Sequence, residues 1–233
     1  MYSISETVKV LLIINVIVFV GTMTMPDTMY QLFSLYYYEN PSFKFWQPVT
    51  HMFMHGGVSH IAFNMLGLWM FGTPLERQWG SKRFLFFYFS AGLGAALIHT
   101  IANYIDLQLD INELMQAGIG RDMIDQAIAQ GQIFVNYPQV NFEGYFVPAV
   151  GASGAVYGIM TAFAVYYPNA QLMMIFFPVP IKAKYFVPLI LIGYTVMNLT
   201  DNLPGIAHWA HVGGALFGFI MAWSWRKSRF NPQ

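Results

Sequence analysis

The chain alternates long apolar runs with short polar breaks. Six runs approach the roughly twenty residues that a membrane-spanning helix requires: residues 9–25, 58–74, 84–102, 148–167, 185–200 and 207–225. Several are shorter, which local thinning of the bilayer or flanking anchors must accommodate. A further apolar stretch, 172–181, is too short to cross and is broken by Pro178 and Pro180, so it is expected to lie at the membrane interface. With six spans and a cytoplasmic N-terminus, Lys9, Arg77, Lys82, Arg83, Lys182, Lys184, Arg226, Lys227 and Arg229 fall on the cytoplasmic side. Lys44 and Arg121 fall outside. That bias follows the positive-inside rule and places both termini in the cytoplasm.

Two outer connections are long. Residues 26–57 carry Tyr30, Phe33, Tyr36, Tyr37, Tyr38, Phe43, Phe45 and Trp46, rings that suit the headgroup zone. In residues 103–146, Asp110-Ile111-Asn112-Glu113 has the form of a capping box and predicts the start of a short helix. An apolar stripe of Ile111, Leu114, Met115, Met123, Ile124 and Ile128 predicts that this loop rests on the membrane surface or on the core.

Composition agrees with the pattern. The 233 residues are 56% hydrophobic, 18% aromatic and 9% charged, against roughly a quarter charged in soluble domains. Mean hydropathy is +0.47. The expected fold is an all-α integral membrane protein, one polytopic domain over residues 1–233 with six transmembrane helices and a long outer loop at 103–146. No internal repeat is visible. A net charge of zero gives no electrostatic footing for nucleic acid, and the absence of cysteine excludes disulfides, thiolate catalysis and cysteine metal sites. The N-terminus shows no basic region or small-residue cleavage site ahead of its first apolar run, which is expected to be a retained helix.

The chemistry-bearing positions stand out against this apolar background. Ser153 lies between Gly151 and Gly154, so a backbone or a substrate can approach its hydroxyl closely. Tyr157 follows one turn later on the same helix face. Gly154 and Gly158, four apart, also suit close packing of a neighbouring helix, and a packing motif with an incidental serine is a complete alternative reading. Other spans weigh against it. Spans two, four and six all start at the outer face. His60 and Asn64, i and i+4 on one face, begin span two, Ser153 begins span four, and His211 begins span six. At 1.5 Å per residue each lies on the order of 5–10 Å inside its helix start. Polar groups within spans are costly and face a cavity or each other. Ala210, Gly214 and Gly218 give span six a smooth face; packed against Gly154 and Gly158, that face brings Ser153 and His211 within reach. A serine hydroxyl becomes a nucleophile when a base takes its proton, which His211 can do. The Ser153 backbone N–H, Asn64 and His60 are candidate donors to an oxyanion. No carboxylate stands at this depth, so Tyr157 is the candidate to orient the His211 ring by stacking.

These residues carry a family resemblance. Gly151-Ala152-Ser153-Gly154 and His211-Val212-Gly213-Gly214 resemble the motifs of rhomboid intramembrane serine proteases. His51-Met52-Phe53-Met54-His55, followed by His60-Ile61-Ala62-Phe63-Asn64, is similar to the family's histidine-rich start of its second span, and Glu76-Arg77 before Gly80 is similar to its cytoplasmic turn. The resemblance covers about residues 46–218. It implies a rhomboid-like six-helix bundle with a Ser153–His211 dyad and an oxyanion site of His60, Asn64 and the Ser153 N–H. Gly151, Gly154 and Tyr157 support the dyad, with no cofactor and no metal. It also implies single-span membrane-protein substrates cut near the outer face, in a bacterial cytoplasmic membrane. Two departures stand: Trp46 is followed by Gln47 where many members have arginine, which touches loop pose or stability, and the 103–146 loop is long for a minimal bacterial member.

The remaining polar residues have plainer readings. His51 and His55 are four apart and with His60 form a possible metal set, but a structural role at the loop–helix junction is preferred. Glu76 is expected to cap a helix or pair with a cation, and Asn15 to pack. His99 and His208 are unassigned. Competing functions are a membrane chaperone or substrate-binding pseudoprotease, which needs only the groove, and a transporter, which would more often show repeats and broken helices around a midplane site.

Overall fold

The computed structural model describes residues 3–132, 134–174, 177–199 and 208–229. The chain is mostly helical. In order it forms α1 (Glu6–Thr24), α2 (Pro26–Phe33), a short α3 (Gln47–Thr50) running into a 3₁₀ turn (His51–Phe53), α4 (Val58–Gly67), a π-helical segment (Leu68–Gly72), α5 (Thr73–Trp79), α6 (Ser81–Gln116), α7 (Arg121–Ala129), α8 (Glu143–Phe146), α9 (Ser153–Tyr166), strands β1 (Gln171–Met174) and β2 (Phe177–Lys182), α10 (Ala183–Leu199) and α11 (His208–Arg229). Helices α1 and α6 are by themselves long and apolar enough to cross a bilayer; α9 and residues 183–193 of α10 are shorter apolar helices. The expected ends of spans five and six, Thr200 and Ala207, lie outside the described residues.

The second expected span, residues 58–74, is α4, the π-helical segment and the first residues of α5. Pro74 has no N–H to give to the carbonyl one turn back, and its ring crowds that carbonyl. The wider π turn immediately before it is where the helix absorbs the mismatch. In the middle of α5, the buried Glu76 carboxylate accepts from the backbone N–H groups of Thr7 and Val8, each at 2.9 Å, and from the hydroxyls of Ser5 and Ser81. One acid thereby satisfies the open N-terminus of α1 and ties it to the start of α6, the capping role expected for it.

Three expectations need correction. The first concerns α6, which does not end near residue 102. It runs unbroken for 36 residues, about 54 Å, well beyond a hydrocarbon core of about 30 Å. Leu107, Ile111 and Leu114 continue one face of α6, and they bury against Ile124 and Ile128 of α7, Val140, Phe142 and Tyr37 of the first loop. That second core sustains helix where a loop was expected. Asp110 lies in mid-helix rather than at a cap, and its carboxylate accepts the N–H of Phe142 at 3.2 Å. Of the expected stripe, Met115 and Met123 are exposed.

Second, β1 and β2 pair antiparallel, so the fold is not purely helical. Gln171 pairs with Lys182, Leu172 with Ile181 and Met174 with Phe177. The register slips between Leu172 and Met174, opposite Pro178 and Pro180, which have no N–H to donate to a ladder.

Third, Ser153 is the first residue of α9, not a turn or more inside it. The depth comes from the preceding strand-like segment. Leu35 and Ala149 exchange both backbone bonds at 2.9 Å, and the Gly151 N–H donates to His51 O at 2.9 Å. Irregular backbone survives inside a bundle only when so satisfied.

The packing of α9 follows its glycines. It is buried from Gly154 to Phe163, between α6 and α11. A Cβ on Gly154 would lie 2.4 Å from Ala95 Cβ, one on Gly214 would lie 1.9 Å from Gly154 O, and one on Gly218 would lie 2.6 Å from Gly158 Cα. The glycine-to-glycine contact of α11 with α9 expected from their spacing is present. On α1, Val10, Ile13, Val16, Ile17 and Val20 are exposed, an outward apolar face that water would not favour and lipid does.

Candidate active site

The contact between α9 and α11 places His211 Nε2 2.8 Å from Ser153 Oγ. One turn along α9, the Tyr157 ring stacks on His211, with centroids 4.4 Å apart and planes 24° apart. Both rings are buried, so the imidazole is held face-on while its edge meets the hydroxyl.

Gly151 makes room beside this pair. Its φ of 133° lies where side chains are strained. A Cβ there would also sit 2.9 Å from His60 Nε2 and 3.4 Å from Ser153 Oγ. The space next to Gly151 is therefore bordered by the hydroxyl on one side and an imidazole nitrogen on the other. The Gly56 N–H donates to His60 Nδ1 at 3.3 Å. A neutral imidazole with one nitrogen accepting carries its proton on the other, so Nε2–H is the donor that points at this space. Ser153 opens α9, and its backbone N–H is one of the helix-start donors with no partner inside the helix. Asn64 is buried in α4 and gives one amide hydrogen to His60 O at 2.9 Å, which leaves its second N–H.

Residues not singled out for the site complete its walls. His55 packs edge-on against His60 at 5.1 Å. Burial lowers its pKa to about 4, helped by the neighbouring His60. His51 holds Gly151 through its carbonyl, and its Nδ1 faces Gln47 O at 2.9 Å; burial lowers its pKa to about 4 as well. Both rings are neutral at neutral pH. A cavity of about 20 Å³ behind Ser153, bordered by His51, His99, Gly92, Ala95 and Gly151, has room for about one water molecule.

Gln47 has its own work. Its buried side chain accepts from Tyr36 N at 3.3 Å and donates to Gln31 O at 3.2 Å and Ser42 O at 3.0 Å. Three separated points of the first loop are tied by one amide. The alternating polar and aromatic residues around it carry no periodicity that would have revealed this.

The chain is thus mostly helical, with an exposed apolar face on α1 and a serine–histidine pair inside its bundle. The chain belongs to the rhomboid family: a rhomboid-domain family model matches residues 42–110 and 111–228. It is 32% identical over 183 residues to RHOMBOID-like protein 12, mitochondrial, of Arabidopsis thaliana, covering 78% of this chain and 47% of that protein. It is 28% identical over 182 residues to the rhomboid protease GluP of Bacillus subtilis, covering 77% and 26%. It is 26% identical over 185 residues to the rhomboid protease AarA of Providencia stuartii, covering 76% and 54%. The chain thus spans between about a quarter and about half of these relatives. Mitochondrial and bacterial proteins both appear among them, so the expected bacterial cytoplasmic membrane gains no support over a mitochondrial one.

Proposed function

We propose that this protein is an intramembrane serine endopeptidase that hydrolyses peptide bonds in or near transmembrane segments of membrane-protein substrates. The observation that carries the reading is the 2.8 Å contact of Ser153 Oγ with His211 Nε2 inside an apolar bundle. In this mechanism Ser153 Oγ attacks the scissile carbonyl carbon while its proton passes to His211 Nε2. The carbonyl oxygen becomes an oxyanion in the space beside Gly151, where the Ser153 N–H, His60 Nε2–H and the second Asn64 N–H stabilise it. His211 then protonates the departing amine as the C–N bond breaks. Water, deprotonated by the same imidazole, releases the acyl group from Ser153. Tyr157 supplies the orientation that a carboxylate supplies in triads, Gly151 keeps the oxyanion space open, and Gly154 lets α11 come close. The reaction as written needs no metal or cofactor.

The same reading takes the chain as one polytopic domain of six spans, with both termini cytoplasmic and Ser153 toward the outer face. The basic residues support that orientation. Substrates are transmembrane proteins reached through the bilayer, and nucleic acid has no part.

A fluorophosphonate probe tests the chemistry. The parent should be labelled at Ser153, and Ser153→Ala and His211→Ala should each lose both labelling and substrate cleavage. The double variant should be no worse than either alone, because members of one catalytic unit are not additive. Turnover by purified Ser153→Ala would overturn the serine mechanism. A folded parent that binds transmembrane segments without labelling or cleavage would make it a binding pseudoprotease.

A further inference from the structure

The two strands between α9 and α10 set some of their apolar side chains on the core and leave others exposed. Leu172 and Ile181, paired across the ladder, pack against the main core. Elsewhere on the two strands Met173 is 63% and Val179 48% exposed, beside exposed Gln171, Pro180 and Lys182. Among the described residues no further strand pairs with either edge of this two-stranded sheet. An isolated ribbon is marginal in water, and open edges with bare apolar residues invite association. Such a surface calls for a cover.

Its position and charge say which. α9 runs about 21 Å from Ser153 to Tyr166, so the strand pair lies at the end of the bundle remote from Ser153. Lys182 and Lys184 stand exposed at its base, and neither forms an ion pair with another described residue. Lys82 and Arg83 at the start of α6 and Lys227 near the end of α11 are exposed at the same end. Of the carboxylates there, Glu6 pairs with Lys9 and Glu76 is taken up by hydrogen bonds. The Lys184 ammonium also lies 5.0 Å over the exposed Tyr185 ring. Bare apolar side chains, unpaired lysines and a rim aromatic on one surface are the chemistry of a segment lying in an anionic membrane interface.

We propose that β1 and β2 lie in the headgroup layer of the leaflet remote from Ser153, with Met173 and Val179 in the acyl boundary and Lys182 and Lys184 on the phosphates of anionic lipids. This rests on the membrane placement given under the proposed function and is independent of the dyad. The Ala183 N–H bonds to Ala170 O at 2.9 Å and the Lys184 N–H to Pro168 O at 3.2 Å. Lipid held by the two strands therefore also anchors the junction from which α10 departs.

The chain has no cysteine, so Met173→Cys accepts a single nitroxide label. The protein is placed in nanodiscs of phosphatidylcholine alone or of an equal mixture with phosphatidylglycerol. Label access to oxygen and to a water-soluble nickel chelate is then read by power saturation. Oxygen should reach position 173 better than nickel does, more so with phosphatidylglycerol. Each basic residue near an anionic leaflet strengthens association roughly five-fold. The added pair Lys182→Glu and Lys184→Glu should therefore cut the phosphatidylglycerol effect by more than about ten-fold. Nickel access equal to that of a Gln132→Cys control in both lipids overturns the proposal, as does shielding that survives charge reversal. Shielding that depends on the number of copies per disc overturns it in favour of contact between two chains. An Ile17→Cys label on α1 separates the two readings: if nickel reaches that site too, the membrane placement itself fails, whereas nickel access at 173 alone removes only the strand pair's role.

Discussion

Gly214→Ala tests whether the approach of α11 to α9 sets the reactive pair. The new Cβ would begin 1.9 Å from Gly154 O, whereas a carbon rests against a carbonyl oxygen at about 3.3 Å. The obstacle is backbone, so α11 must retreat by about 1.4 Å. His211 is one turn before Gly214 and moves with it. The Ser153–His211 distance of 2.8 Å then opens to about 4 Å, beyond any hydrogen bond. Displacements of about 1 Å cost on the order of 10²-fold in rate, and overpacking costs about 1–3 kcal/mol of stability. The assay pairs the rate of fluorophosphonate labelling and the turnover of a transmembrane substrate with thermal unfolding by circular dichroism. Both rates should fall about a hundred-fold in a protein that still folds with a lowered Tm. Gly218→Ala, which meets Gly158 Cα at 2.6 Å one turn farther from His211, should lower Tm and cost less rate. If Gly214→Ala labels at the parental rate, the dyad does not depend on this helix contact.

Asn64→Ala should lower kcat by about 10²–10³ with a smaller change in KM; a change in KM alone would make Asn64 a packing residue. Gln47→Ala removes three hydrogen bonds and leaves Tyr36 N–H, Gln31 O and Ser42 O without that amide, a loss of about 2–4 kcal/mol that should appear as a lower Tm and protease cutting within residues 34–46, and an unchanged Tm would refute it. Burial pushes the Glu76 pKa up, but hydrogen bonds from Ser5, Thr7 and Val8 outweigh it and hold it below the ordinary 4.5. Its stabilising contribution is thus fully present above the unfolded-state value and is lost as pH falls through the folded-state value. Stability of the parent should decline on acidification below about pH 4.5, and Glu76→Gln should be less stable at neutral pH with a shallower decline, as read by Tm against pH.

Local pattern was enough for much of this protein. Apolar runs marked most helices because a side chain's solvent preference is a property of the residue itself. Glycine spacing on α9 and α11 foretold their contact, since a missing side chain acts wherever two helices meet. Of the residues near Ser153, His60, Tyr157 and His211 were nameable in advance from their type and spacing, whereas His51 and His55 were not placed there. Contacts between distant segments decided the rest. α6 continues past residue 102 because Leu107, Ile111 and Leu114 find Tyr37, Ile124, Ile128 and Phe142, and that burial outweighs polar residues which by themselves read as loop. β1 and β2 pair because Leu172 and Ile181 share a place on the core, a pairing invisible in a run without clear alternation. Ser153 sits at a helix start because Leu35 and His51 take up the backbone groups of Ala149 and Gly151. Gln47 is a tie and not a defect because Gln31, Tyr36 and Ser42 converge on it. Each is a meeting of groups far apart in the chain, and only the folded arrangement sets which groups meet.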